Sequence, residues 1–402
     1  MSDQIQIFDT TLRDGEQTAG VAFSAVQKRE IACALAELRV DVIEAGFPVN
    51  SAAEFAAVRG VAEEVQDTRI CALARAVPRD VEAAGEALRG AAAPRIHVFV
   101  NASDMQLAKQ LGKTRESVTQ MAAAMVARAR DFTDDVEFSP MDATRADPDF
   151  LMTLLRAAVA SGATTLNLPD TVGVARPAQV AELVRRVRED VCAEAARATI
   201  VSFHGQDDIG LATANALAAV EAGARQLEVA VNGLGERAGN TSFEEVAVAL
   251  RIHGAAWDVH TGVDTTGIWD LSRRVAEASG IAVAANKAVV GANAFRHASG
   301  IHQDGVLKDP ATYEAYDSAW IGHPTGTEIV LGKLSGRAGF AARAAMLGHT
   351  LDGRALQRAF ERFQIEAAVT DGSVSDEFVA EICAAASSSR GSVTLRAAGE
   401  GA

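Results

Sequence analysis

Apolar residues fall into short runs that recur at regular intervals over the first two thirds of the chain. Eight runs are rich in Val and Ile or apolar on successive residues, at positions 5–9, 41–46, 69–74, 95–100, 135–140, 164–170, 199–205 and 226–233. This pattern is typical of strands that are buried on both faces of a parallel sheet. The intervals between the runs are long enough to hold a helix each.

Segments with a helical period lie between the runs, and several begin with recognisable start signals. Ser24 and Gln27 fit a capping box, as do Ser51 and Glu54, and Pro148 stands where a first helical turn would begin. Eight strands, each followed by a helix, predict an α/β fold of the (β/α)₈ barrel type. A doubly wound open sheet is the alternative. A dinucleotide site in such a sheet would need a glycine fingerprint after the first strand, where this chain reads TTLRDGEQ.

The pattern changes after the predicted barrel. Helical periods return at 266–280, 336–347, 353–369 and 375–386, whereas 284–306 is rich in Ala, Gly, Asn and His without a strand period and indicates loops. We therefore predict a barrel at 1–265, a smaller, mainly helical C-terminal segment at 266–386 and a flexible tail at 387–402.

Composition and charge narrow the class of partner. The 402 residues include 38 Lys+Arg and 53 Asp+Glu, a net charge of −15, which argues against nucleic acid because phosphates need surplus cations. A small anionic substrate responds to the local field instead. No apolar run approaches the ~20 residues of a membrane span, and the first residues lack the pattern of a secretory signal. Four dispersed cysteines without CxxC spacing add to the prediction of a cytoplasmic protein.

Polar residues collect where the predicted strands end, which is where (β/α)₈ barrels carry their active sites. Asp14 follows the first strand, His204 ends the seventh and Asn240 follows the eighth. A carboxylate, an imidazole and an amide oxygen suit a divalent metal such as Zn, Mn, Co or Mg. A pairing of Asp14 with Arg13 and a structural core histidine at position 204 remain as alternatives.

Four long motifs together resemble the 2-isopropylmalate/homocitrate synthase family. They are DTTLRDGEQTAG at 9–20, NLPDTVG at 167–173, VNGLGERAGN at 231–240 and HASGIHQDGVLK at 297–308. The resemblance implies a metal-dependent barrel that condenses acetyl-CoA with a 2-oxo acid, and it implies a homodimer. EAGFPVNS at 44–51 looks closer to isopropylmalate synthases, whereas DGEQTAGVAF at 14–23 looks closer to nitrogenase-type homocitrate synthases. The oxo acid, 2-oxoisovalerate-like or another, therefore stays open.

The resemblance also implies roles for individual residues at the reaction centre. Asp14 and His204 match metal ligands, and Asn240 matches an amide near the metal. Arg13 matches the arginine that polarises the keto oxygen, and Thr171 matches the threonine that binds the substrate carboxylate. A guanidinium beside a metal would place positive charge where an oxyanion develops.

Further positions match the pocket wall and the C-terminal segment of the family. His97 and Ser139 correspond to residues that line the substrate pocket. His302 and Tyr313 correspond to residues that reach the partner subunit's site. Both are candidates for removing a proton from the acetyl methyl group, a step that needs a base close to a weakly acidic C–H.

Two positions depart from the family pattern. The family has a second histidine two residues after the first, and this chain has Gln206 there. An amide oxygen at that place is a harder ligand and favours Mg or Mn over Zn, although Asp207 or water are alternative ligands. Met141 stands where isopropylmalate synthases usually carry glutamate, and methionine makes the pocket more apolar.

Three alternative functions stay open. The first is a homocitrate synthase-like or specialised-pathway enzyme that uses another oxo acid. The second is cleavage of the hydroxymethylglutaryl-CoA lyase type, against which the synthase pattern at 231–240 and around His302 argues. The third is a non-catalytic binding or regulatory paralogue, against which the presence of Arg13, Asp14 and Thr171 argues.

Overall fold

The computed structural model describes residues 2–388 and contains a closed barrel of parallel strands. The barrel strands are β1 (Gln6–Asp9), β2 (Val42–Gly46), β3 (Arg69–Arg75), β4 (Pro94–Asn101), β5 (Val136–Met141), β6 (Thr165–Asp170), β7 (Ile200–Gly205) and β8 (Gln226–Val229). Strand β1 pairs with β2 on one side and with β8 on the other, which closes the barrel. The prediction of a (β/α)₈ barrel is confirmed.

A helix follows each barrel strand. These helices are α1 (Ala25–Glu37), α2 (Ala52–Glu64), α3 (Pro78–Ala87), α4 (Arg115–Ala129), α5 (Pro148–Ala160), α6 (Pro177–Val187), α7 (Ala212–Glu221) and α8 (Phe243–His253), and α9 (Ile268–Ser279) comes after them. A short turn of helix at Asp104–Gln106 precedes α4, and a short strand at Asp3–Gln4 pairs with Val259–His260. Most of the strands' apolar side chains are buried, as their continuous hydrophobic pattern predicts.

Local signals explain where the helices begin. At α1 both halves of the capping box form: Ser24 Oγ accepts the Gln27 backbone N–H, and Gln27 Oε1 accepts the Ser24 backbone N–H. At α5 the Asp147 side chain accepts the backbone N–H of Phe150, and Pro148 occupies the first turn, where no intrahelical donor is needed. These contacts set the positions of the helices and hence the loops between strands and helices.

Residues 284–287 and 291–388 belong to a second compact unit, and the first unit comprises the residues up to 283 with 288–290. The second unit contains α10 (Gly300–Lys308), α11 (Arg337–Met346), α12 (Gly353–Ala367) and α13 (Asp376–Ser388), and a strand pair joins Arg296–His297 to Glu328–Ile329. Phe340 and Phe363 are buried in its core. Beyond Ser388, the predicted tail lies outside the described residues.

One expectation about this second unit is wrong in part. The segment 284–306 is predicted to be rich in loops, but α10 begins inside it, at Gly300. Gly300 lies against the Gly336 backbone, where an added Cβ would come within 2.6 Å, so this glycine serves close packing. The buried Gln303 amide donates to the carbonyls of His297 and Val330 and fixes the helix in place.

Among residues 2–388, no helix combines the length and the apolar character that crossing a membrane would require.

Candidate active site

The carboxyl ends of the barrel strands enclose a cavity of about 280 Å³. Eight of the residues singled out from the sequence line it, namely Arg13, Asp14, His97, Ser139, Met141, Thr171, His204 and Gln206. Asn240 lies next to Gln206, with 2.9 Å between the Asn240 Oδ1 and an amide atom of Gln206. Residues from six different strand ends thus meet at one place, which is the usual position of the active site in this fold.

The Arg13 guanidinium is held by carboxylates at the edge of the cavity. Its Nε donates to Glu44 Oε2 at 2.6 Å, and its Nη1 donates to Asp14 Oδ2 at 2.9 Å. Glu228 Oε2 lies 3.9 Å from Nη2. The side chain is 11% exposed, so the guanidinium is fixed in position while still reaching the cavity.

Asp14 is ionised beside this arginine. Burial alone would raise the pKa of Asp14, but Arg13 and His204 outweigh burial and hold that pKa below its usual value. The backbone N–H of Glu236 donates to Oδ1 at 3.3 Å. Asp14 is therefore a buried carboxylate that is charged at neutral pH, as a metal ligand must be.

Each of the two cavity histidines is oriented by a buried glutamate. His204 Nδ1 lies 2.7 Å from Glu228 Oε2, and His97 Nδ1 lies 2.8 Å from Glu44 Oε1. Carboxylates at these positions favour a proton on Nδ1. Because Nδ1 is held by the glutamate, Nε2 is the ring nitrogen that faces the cavity. His97 Nε2 is hydrogen-bonded to Ser139 Oγ at 2.6 Å.

Three side chains converge around the inner amide atom of Gln206. That atom lies 3.1 Å from His204 Nε2, 3.5 Å from Asp14 Oδ2 and 2.9 Å from Asn240 Oδ1. When the Gln206 nitrogen donates to the carbonyls of Glu236 and Gly239, at 3.2 and 2.9 Å, the Gln206 oxygen turns inward and faces other acceptors. Three oxygens and one imidazole nitrogen then face one another at the spacing expected of ligands around a divalent cation. The residues present therefore fit a metal.

Asn240 and Asp207 have contacts that bear on this donor set. Asn240 Nδ2 donates to the Leu234 carbonyl at 2.8 Å, which directs its Oδ1 toward Gln206. Asp207 Oδ1 accepts the backbone N–H of Ala212 at 2.9 Å, at the start of α7. The contacts thus favour Gln206 over Asp207 as the fourth donor.

The rest of the cavity wall combines one polar and one apolar region. Thr171 Oγ1 accepts the backbone N–H of Asp142 at 2.9 Å, which leaves its hydroxyl proton available to an anion in the cavity. The apolar region is formed by Phe47, Leu73, Phe99 and Met141. Phe47 and Phe99 meet edge to face, with 6.4 Å between their ring centroids.

His302 and Tyr313 belong to the second unit. Their rings are stacked on each other, with 4.0 Å between the centroids and an interplanar angle of 20°. Tyr313 is 44% exposed. The structure therefore brings these two predicted residues together as a pair within their own unit.

Sequence reasoning missed Glu44 and Glu228, which contact Arg13 and both histidines. Both lie inside strands, in VIEAG and QLEV, and both are at most 1% exposed. A charged residue inside a strand that is otherwise apolar is a signal that could have identified them, because an unpaired buried charge is too costly to persist. The same argument would have predicted a cation such as Arg13 as the partner of both glutamates.

Comparisons with known proteins agree with this architecture. The family model described as HMGL-like matches residues 4–275, and the one described as homocitrate synthase post-HMGL domain-like matches residues 289–371. The chain is 50% identical over 364 residues to a curated 2-isopropylmalate synthase of Pyrococcus furiosus, covering 90% of this chain and 72% of the relative. It is also 50% identical over 387 residues to the 2-isopropylmalate synthase of Ralstonia nicotianae, covering 95% of this chain and 74% of the relative.

Solved structures of lower sequence identity share the barrel. Hydroxymethylglutaryl-CoA lyase from Pseudomonas aeruginosa aligns with a TM-score of 0.60 at 22% identity, covering 70% of this chain and 95% of the lyase chain. Rhizobium etli pyruvate carboxylase aligns with a TM-score of 0.54 at 19% identity, covering 69% of this chain and 28% of that one. At these identities the similarity shows the fold alone.

Proposed function

The chain belongs to the 2-isopropylmalate synthase family, as its motifs predicted, and we propose that its acceptor is a 2-oxo acid with an apolar, branched side chain. Membership makes it an acyltransferase that condenses acetyl-CoA with a 2-oxo acid and releases a 2-substituted malate and CoA. The relatives do not favour the lyase, homocitrate synthase or non-catalytic alternatives. One observation carries the proposal. Arg13, Asp14, His204 and Gln206 meet in a cavity that has an apolar wall.

Four residues would hold the metal that this family requires. They are Asp14, His204, Gln206 and Asn240, whose donor atoms face one another in the orientation described above. When bound there, a divalent cation would draw electron density from the keto oxygen of the oxo acid and neutralise part of the charge that develops on it. With one imidazole and three oxygen donors, we propose that the site prefers Mg²⁺ or Mn²⁺ to Zn²⁺.

The chain's own residues would bind and orient the oxo acid. Arg13 is held by two carboxylates, so its remaining N–H groups are directed without reorganisation toward the oxygen that becomes an alkoxide. The hydroxyl of Thr171 would donate to the substrate carboxylate. The acetyl methyl group must lose a proton, and we propose the stacked pair His302 and Tyr313 for this step, in a homodimer.

The apolar wall supports the choice of oxo acid. Phe47, Leu73, Phe99 and Met141 offer dispersion contacts to an aliphatic chain and no cation to a second carboxylate. A terminal carboxylate, as in 2-oxoglutarate, would lose its hydration against this wall, and Arg237, a further arginine of the cavity lining, is already paired with Asp208 at 2.7 Å. A branched aliphatic chain is stabilised there instead, because moving apolar surface out of water is favourable.

We expect the purified protein to release CoA from acetyl-CoA with 2-oxoisovalerate, and with longer apolar 2-oxo acids, in the presence of Mg²⁺ or Mn²⁺. The measurement is the appearance of free thiol with a panel of oxo acids and metals, with product identity confirmed by mass spectrometry. Leu73→Glu should lower kcat/KM for the apolar acids about tenfold or more, because it places a carboxylate against the substrate side chain.

Leu73→Met is the matched control, since it nearly conserves volume and polarity and should change kcat/KM by less than about tenfold. The synthase proposal fails if no combination of oxo acid and metal releases CoA. A preference for 2-oxoglutarate over the apolar acids would contradict the role of the apolar wall while leaving the reaction class intact.

We expect Gln206→His to increase the affinity for Zn²⁺ relative to Mn²⁺ by about tenfold or more. The change replaces an amide oxygen with an imidazole nitrogen, which Zn²⁺ prefers. Metal content after purification and titration calorimetry with each ion measure the effect without reference to activity. Gln17→His is the matched control, because it adds a histidine to the same cavity without replacing one of the four proposed ligands. If Gln206→His leaves both metal content and metal preference unchanged, Gln206 does not bind the metal.

A further inference from the structure

Glu44 is a charged side chain in the interior of the barrel, where its two oxygens accept three hydrogen bonds. Oε2 accepts from Thr10 Oγ1 at 2.8 Å and from Arg13 Nε at 2.6 Å, and Oε1 lies 2.8 Å from His97 Nδ1. The residue is 0% exposed. In the described part of the chain the cavity lining includes Arg13 and His97 but not Glu44, so Glu44 lies behind the wall.

The charge state of Glu44 determines which nitrogen of His97 carries a proton. Burial alone would raise the pKa of Glu44, but Arg13 and His97 outweigh burial and lower that pKa to about 2. An ionised carboxylate can only accept, so the proton of the 2.8 Å contact is on His97 Nδ1. The orientation of the ring then follows from the position of Glu44.

The connection continues from His97 to the neighbouring strand of the cavity wall. His97 Nε2 is bonded to Ser139 Oγ at 2.6 Å, and Asn167 Nδ2 donates to the same Ser139 oxygen at 2.8 Å. Glu44 is on β2, His97 on β4 and Ser139 on β5. A single hydrogen-bonded chain therefore runs from Arg13 through Glu44 and His97 to the part of the wall that contains Ser139.

We propose that Glu44 is a positioning residue of the condensation, which holds the Arg13 guanidinium and the His97 imidazole at a fixed separation. Through Arg13 it sets where positive charge meets the developing alkoxide, and through His97 it sets the place of Ser139 in the substrate wall. One carboxylate makes both contacts, because Oε2 accepts from Arg13 while Oε1 contacts His97. This inference rests on the function proposed above.

The test is Glu44→Gln, which preserves shape while removing the charge. The amide oxygen can remain with Arg13 and Thr10, and the amide N–H₂ then faces His97 Nδ1 and requires that atom to lose its proton. We expect ¹⁵N NMR of the imidazole, assigned with His97→Gln, to show Nδ1 protonated in the wild type and unprotonated in the variant. We expect kcat/KM for the oxo acid to fall about 10- to 100-fold, with lower kcat and higher KM, while Mn²⁺ affinity stays within about threefold.

A double-mutant comparison separates positioning from general damage. If Glu44 acts on the substrate wall through His97, the rise in KM caused by Glu44→Gln should disappear in a His97→Gln background. Asp41→Asn is the matched control, because Asp41 directly precedes the same strand at the opposite end of the barrel and accepts the Ile7 backbone N–H. It should leave kcat and KM unchanged.

Three results would overturn the proposal. One is a reversed His97 tautomer with kcat and KM within about twofold of the wild type; another is a KM effect that is fully additive with His97→Gln. The third is an equal loss of kcat in Asp41→Asn. If Glu44→Gln does not fold, Glu44→Asp keeps the charge but is one methylene too short for both contacts, and unchanged kinetics in that variant would likewise overturn it. The tautomer can be measured without turnover, so a failure of the proposed reaction is distinguishable from a failure of this inference.

Discussion

Replacing Arg13 by lysine is expected to reduce kcat about 100- to 1,000-fold, the loss typical of removing one donor to a developing oxyanion. Lysine keeps the positive charge but lacks the planar fork. In the wild type, Nε is bound to Glu44 at 2.6 Å and Nη1 to Asp14 at 2.9 Å, so the remaining N–H groups have fixed directions. An ammonium group cannot satisfy both carboxylates and still direct a donor into the cavity.

Steady-state kinetics with saturating acetyl-CoA measure this effect, and calorimetry with Mn²⁺ shows whether the metal site survives. We expect Mn²⁺ affinity to change by less than about tenfold, because Asp14 stays charged beside an ammonium. Arg69→Lys is the matched control: Arg69 pairs with Asp135 at 2.6 Å at the other end of the barrel, and its replacement should leave kcat unchanged. An Arg13→Lys protein with kcat within about threefold of the wild type would remove the electrostatic argument for the reaction.

The barrel could be predicted from the sequence because each level of the pattern points to the same fold. The run VIEAG at β2 is followed by a helix whose N-cap, Ser51, accepts the backbone N–H of Glu54, as the sequence indicated. The strand-end residues Asp14 and His204 could be predicted as a pair for the same reason, because the ends of parallel strands must meet. Their distance of 3.8 Å, between His204 Nε2 and Asp14 Oδ2, follows from barrel closure and not from local sequence.

What could not be predicted depends on contacts that are distant along the chain. Glu44 lies 53 positions before His97, and nothing in the local pattern indicates that their side chains meet. Helix α10 was missed because its glycines suggested loops, whereas Gly300 is needed for close contact with Gly336. The orientation of the Gln206 amide depends on the carbonyls of Glu236 and Gly239 in the loop after β8. In each case the missing information is a partner supplied by the tertiary fold.

Asp14→Asn is expected to weaken Mn²⁺ binding by more than about 100-fold, beyond the loss that follows when a residue that merely supports a ligand is changed. The substitution keeps the shape of the side chain and removes its negative charge. In the wild type, Arg13 and His204 lower the pKa of Asp14 and so keep its carboxylate ionised. It also leaves Arg13 with Glu44 as its close partner. Metal binding by calorimetry and CoA release should therefore fall together.

Asp207→Asn is the matched control for this prediction, and it decides between two donor sets. Asp207 Oδ1 already accepts the backbone N–H of Ala212 at 2.9 Å, so its replacement should affect the start of α7 and leave Mn²⁺ affinity within about threefold. Equal losses in Asp14→Asn and Asp207→Asn would place Asp207 among the ligands in the position that we assign to Gln206. Retention of Mn²⁺ by Asp14→Asn would show that the convergence of Asp14, His204 and Gln206 does not form the metal site, and the preference for Mg²⁺ or Mn²⁺ argued from their oxygen donors would lose its basis.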